Sequence, residues 1–112
     1  MTIYTSYFAK CKSGERRLSI CRRPPDWYTG RRCYLLAPDA ELLWKYKNKE
    51  ITAREFTVIY TDYLNTLGID AVLNELHEGD ILLCWEAKGK FCHRHVLAEW
   101  LKSYGYIVTE LE

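Results

Sequence analysis

A chain of 112 residues, 48% hydrophobic and 28% charged, has the composition of one globular domain, 1–112, with enough length to bury a core, and this excludes a disordered or fibrous chain. The net charge of +1 hides an asymmetry: residues 1–36 carry eight Lys/Arg against two Asp/Glu, and residues 37–112 carry eight against thirteen. Met1-Thr2-Ile3-Tyr4-Thr5 lacks the basic start and apolar stretch of a signal peptide, and no window approaches the roughly 18 consecutive apolar residues of a membrane span. The expected localisation is therefore cytoplasmic, with no membrane partner. Five cysteines, an odd number without a C-x-x-C pair, are expected to be free thiols in such a compartment.

Thr2 to Phe8, rich in β-branched and aromatic residues, reads as a first strand, and Leu18-Ser19-Ile20-Cys21 as a short second strand stopped by Pro24-Pro25. Residues 22–37 read as a long loop. Asp39 is the expected N-cap of a helix from Ala40 to Lys47. Thr52 and Glu55 form a capping box ahead of a second helix, where Phe56, Ile59, Tyr60, Tyr63, Leu64 and Leu67 follow the helical period up to Gly68. Asp70 is expected to cap a short third helix. The apolar run from Ile81 to Glu86 suits an interior parallel strand covered on both faces. A last helix from about Cys92 to Tyr104 ends at Gly105, and Tyr106 to Leu111 is a last strand. The order β-β-loop-α-α-α-β-α-β predicts an α/β single-domain sandwich with a small, mostly parallel sheet flanked by helices. The alternative is an α+β fold with the first two strands as a hairpin.

The chemistry gathers at the turn from the Ile81 strand into the last helix. Side chains alternate along a strand, so Cys84 and Glu86 share a face near its carboxyl end, the edge where ligands bind in open α/β sheets. Helical spacing from Leu97 turns His93 inward over that edge and His95 toward solvent, four residues before Glu99. Cys92 lies at the helix N-terminus, where backbone N–H groups stabilise a thiolate. The same features attract phosphate, and Lys88, Gly89, Lys90 and Arg94 flank them. If the protein is an enzyme, Cys92 is the candidate nucleophile, His93 or Glu86 the acid or base, and Arg94, with Lys88, Lys90 and Cys84, the anion-binding wall. Trp85 and Trp100 read as core residues. In the basic third, Arg22, Arg23, Arg31 and Arg32 flank Trp27, Tyr28 and Tyr34, a mixture suited to phosphates and stacked bases. Arg22, Arg23 and Trp27 are the expected partial lid.

The run Leu82-Leu83-Cys84-Trp85-Glu86 … Phe91-Cys92-His93-Arg94-His95 … Ala98-Glu99-Trp100-Leu101, with Ser19-Ile20 … Pro24 and Leu36-Ala37-Pro38, resembles the family called domain of unknown function 488, small bacterial, archaeal and phage proteins. The resemblance spans most of the chain and rests chiefly on C-x-E followed by C-H-R. Trp85 departs mildly from a position where the family often has Tyr. The resemblance implies an α/β domain whose signature is Cys84, Glu86, Cys92, His93 and Arg94, and implies no activity.

The leading expectation is a protein that binds or acts on a nucleotide, a nucleic acid or another phosphate-bearing ligand. The alternative is a non-enzymatic nucleic-acid-binding module using the Arg/aromatic loop. A second alternative is a zinc-stabilised structural domain with Cys84, Cys92 and His93 as three ligands and Cys11, Cys21 or Cys33 as a fourth; structural zinc usually shows a C-x-x-C knuckle, which the chain lacks. The reading assigns no metal ligands and no cofactor.

Overall fold

In the computed structural model, which describes residues 1–87 and 89–111, five strands form one sheet. They are β1 (Thr2–Tyr7), β2 (Arg17–Ser19), β3 (Arg31–Arg32), β4 (Ile81–Cys84) and β5 (Ile107–Glu110), ordered β3-β2-β4-β1-β5. Every pairing is parallel: β1 and β2 both flank β4, with Tyr4 and Arg17 each opposite Ile81. The α/β fold stands, and the hairpin alternative is corrected. β4 lies between β1 and β2, because its apolar run needs neighbours on both sides to satisfy its backbone.

The helices are α1 (Ala40–Lys47), α2 (Ala53–Leu67), α3 (Ile69–Asn74) and α4 (His93–Ser103). The capping box of α2 is formed, with Glu55 N–H donating to Thr52 Oγ1 at 3.1 Å and Thr52 N–H to the Glu55 carboxylate at 3.0 Å. Asp70 does not cap α3. The chain passes from α2 into α3 through Gly68 at φ 85°, a conformation that glycine adopts without a Cβ penalty.

All four helices contribute to one core. Leu82, Ile3 and Val108 of the sheet meet Leu42, Tyr60, Leu64, Val72 and Leu97 there. Leu83, on the opposite face, joins a smaller cluster with Phe8, Cys21 and Tyr28. The second face is thus covered by the segment between β1 and β3 rather than by helices. β3 lies inside what reads as loop; it is anchored by Cys33 N–H to Ser19 O at 2.8 Å, by the Arg31–Asp80 ion pair at 2.7 Å, and by the Tyr28 hydroxyl donating to Arg31 O at 2.6 Å.

This topology positions the site. From β1 the chain moves across the sheet toward β2, whereas from β4 it moves the other way, through α4, to β5. From β2 the chain also leaves away from β4, to β3, so the connections diverge above the carboxyl ends of β2 and β4, and the crevice lies there.

Candidate functional site: a cationic, aromatic cleft over the carboxyl edge

A cleft of about 810 Å³ opens at this crevice. Its size falls within the range of about 300–1,000 Å³ typical of small-molecule sites. One wall is a face of α1, where Ala40, Leu43, Trp44 and Lys47 recur at helical spacing. The other wall is the turn after β4, with Trp85, Glu86, Lys90 and Phe91. Cys21, Cys92 and His93 line it as well, and Arg22 and Arg23 join from the chain beyond β2. Trp44 and Trp85 are 59% and 55% exposed, large apolar surfaces left open to the cleft and solvent.

His93 points inward, as its helical position predicts, and is buried. Its Nε2 lies 2.7 Å from the Ile20 carbonyl oxygen, which can only accept, so Nε2 carries the proton. Nδ1 is then a free lone pair, 3.8 Å from Cys92 Sγ. Burial lowers the imidazole pKa to about 4; the Ile20 hydrogen bond opposes this, and the Arg94 and His95 charges reinforce it. The ring is neutral at pH 7.

Cys92 is the N-cap residue of α4. The expectation of free thiols is corrected here: Cys84 and Cys92 form a disulfide, while Cys11, Cys21 and Cys33 are free. The pairing follows from topology, since the end of β4 and the start of α4 are brought face to face by a short turn that no C-x-x-C spacing announces. As a disulfide, Cys92 offers no thiolate nucleophile until it is reduced. The ligand atoms of Cys84, Cys92 and His93 all lie within 4.8 Å of one another. Cys21 stands apart, its Sγ 3.7 Å from the Leu83 carbonyl oxygen, and burial pushes its thiol up to about 12.

Arg94 is placed differently from the ligand clamp that its sequence position suggests. It is completely buried, and Nε and Nη2 donate to the two Glu110 oxygens at 3.1 and 2.8 Å. Nη1 donates to Cys84 Sγ at 3.0 Å and to the Glu86 carbonyl oxygen at 2.6 Å. The guanidinium therefore ties β4, α4 and β5 together. Arg94 lies three, four and seven residues before Leu97, Ala98 and Leu101, and that stripe was the available signal for its burial.

Glu86 does not share the Cys84 face. β4 ends at Cys84, strand alternation ends with it, and the Glu86 side chain is exposed on the cleft wall. Trp85, expected in the core, is carried out by the same break; its Nε1 donates to the Arg23 carbonyl oxygen at 2.7 Å. Arg22 Nε donates to Pro38 O at 2.9 Å, which fixes the loop against the start of α1. Trp27 does not line the cleft and is 47% exposed, with Lys12 Nζ 5.9 Å above its ring. Lys88 lies outside the described residues. His95 is half-buried rather than open to water, and the Glu99 carboxylate meets Lys102 at 3.9 Å. The α1 face and Glu110 are the contributors that sequence reasoning missed.

No helix among the described residues is long and apolar enough to cross a membrane. No curated protein and no solved structure matches the chain. The family model DUF488-N3a, described as the active DUF488-N3 subclade, matches residues 4–105, and the chain belongs to that family.

Proposed function

We propose that this member of the DUF488-N3 subclade binds a nucleotide or a nucleic-acid segment in the cleft over the carboxyl edge of its sheet. The observation that carries the reading is the composition of the cleft. Trp44, Tyr46, Trp85 and Phe91 offer ring surfaces for a planar base, and Arg22, Arg23, Lys47 and Lys90 offer cations for phosphate. Arg94 is left out of this binding set, because its donors are directed at the protein.

His93, Glu86 and, once its disulfide is reduced, Cys92 line the cleft and have nucleophilic, acid–base or metal-ligating capacity, so a base or its sugar held between the walls would meet them. The family description as an active subclade supports a reacting rather than a purely binding site. A non-enzymatic track along the basic N-terminal third has less support, since Trp27 stands away from the cleft cations.

Titration of the protein with mononucleotides and short single-stranded oligonucleotides, read by tryptophan fluorescence, tests this. Expected are saturable quenching, affinity that falls steeply with salt, and a loss of about tenfold or more in Arg22→Ala/Arg23→Ala or Trp44→Ala, where stacking alone contributes about 1–3 kcal/mol. No binding of any of these ligands at millimolar concentration and low salt would overturn the proposal.

A further inference from the structure

We propose that, in the reduced protein, Cys84, Cys92 and His93 hold a zinc-class divalent cation whose remaining coordination position faces the cleft. Their ligand atoms come from the end of β4 and the start of α4 and already lie within 4.8 Å of one another. Two thiolates and one imidazole are a soft donor set of the kind zinc takes, and three protein ligands plus one open position is the pattern of catalytic rather than structural zinc.

Two further contacts fit this role. A metal-binding histidine usually donates its other ring N–H to a backbone carbonyl, which aims the free nitrogen at the metal. His93 does this through Nε2 to Ile20 O at 2.7 Å, leaving Nδ1 toward the sulfurs. Arg94 Nη1 donates to Cys84 Sγ at 3.0 Å, a hydrogen bond that supports the charge of a thiolate. The Cα atoms of Cys84 and Cys92 are 7.1 Å apart, wider than the usual span of disulfide-bonded pairs and suited to two thiolates bridged by an ion. Cys92 and His93 both line the cleft, so the open position faces it, whereas Cys84 closes the buried side.

The disulfide and the metal are alternative occupants. A dithiol reductant transfers two electrons and two protons to the Cys84–Cys92 bond and becomes a cyclic disulfide. The two thiols then release two protons as the cation binds. The proposal deepens the ligand-binding reading by placing a Lewis acid at the cleft floor, but cation binding is measured with no nucleotide present.

The experiment is cobalt titration of the full-length protein, reduced with dithiothreitol and desalted without oxygen. Expected is one cobalt per chain, with a near-ultraviolet thiolate-to-cobalt band and visible bands of a four-coordinate site, displaced by one equivalent of zinc. Cys84→Ser and Cys92→Ser are expected to weaken binding at least about tenfold, and Cys33→Ser, away from the cleft, to leave it unchanged. Added cyanide is expected to shift the visible bands by taking the open position. Absence of a thiolate-to-cobalt band in the reduced wild-type protein overturns the proposal, and so does a band lost in Cys21→Ser but kept in Cys84→Ser. Because the wild-type spectrum decides the first point, a variant that fails to fold does not protect the idea. Cobalt binding with no nucleotide binding would sink only the ligand reading; the reverse would sink only the metal.

Discussion

The sheet carries an arginine–carboxylate pair at each end, and the two are built in opposite senses. At the amino end, Asp80, just before β4, is the buried partner, and the Arg31 side chain is 36% exposed. At the carboxyl end, Arg94 is the buried partner at 0%, and the Glu110 side chain is 20% exposed. Both pairs are bidentate, so geometry does not distinguish them. The difference is which charge is left stranded when the outer partner is removed. The cleft end keeps a buried cation beneath Cys84, and the far end keeps a buried anion that also accepts the His77 N–H at 2.8 Å. A buried charge is stable only with its partner, so each pair's outer residue is the sensitive one.

The largest expected effect is Glu110→Ala, which strands the Arg94 guanidinium and should cost about 3–5 kcal/mol in urea unfolding. A cost under about 1 kcal/mol would mean that Cys84 Sγ and the Glu86 carbonyl suffice for Arg94, and the asymmetry would be lost. The double variant Arg94→Met/Glu110→Met should recover most of that loss, because two apolar side chains carry no desolvation penalty; additive losses would instead point to packing at these positions. Arg31→Met should cost about 1–3 kcal/mol by leaving Asp80 with only the His77 donor. Asp80→Asn should cost less than Arg31→Met, since Arg31 can turn to water; the opposite ranking would break the comparison at this end.

The smallest effect is a pH dependence. Burial raises the Glu110 pKa, but hydrogen bonds from Arg94 and Thr5 and the Arg94 charge outweigh it, so the carboxyl lies below its ordinary value. A depressed folded pKa contributes stability that is present above the unfolded value, about 4.3, and is lost as pH falls through the folded value. Wild-type stability should therefore decline below about pH 4 more steeply than that of Glu110→Gln. Parallel acid limbs for the two proteins would remove Glu110 from the account.

The same contrast separates what was legible in the sequence from what was not. α1 and α2 are written locally: the Thr52–Glu55 box and the Phe56–Tyr60–Leu64 stripe state a helix and its inner face without reference to anything distant. The inward turn of His93 follows from the same period. Arg94 reads as a ligand clamp because a charged residue beside a helix N-terminus suggests one, and its partner lies 16 residues away on strand β5. β3 was hidden for a related reason. Two arginines have no alternation to reveal a strand, and their pairing depends on β2 and Asp80. The end of β4 at Cys84 was equally illegible, since Trp85 extends the apolar run past the point where the backbone leaves the strand.

The brevity of β3 has a consequence for how copies of this protein meet one another. A sheet rim is a row of unpaired amides, and a long flat one invites a strand from another chain to add to it. Here that rim is two residues long, both arginine, with Arg31 held inward by Asp80. A strand approaching from solvent finds too few amides to register on and an arginine at each position, so the β3 side, one of the two edges of the sheet, is guarded against edge-to-edge aggregation.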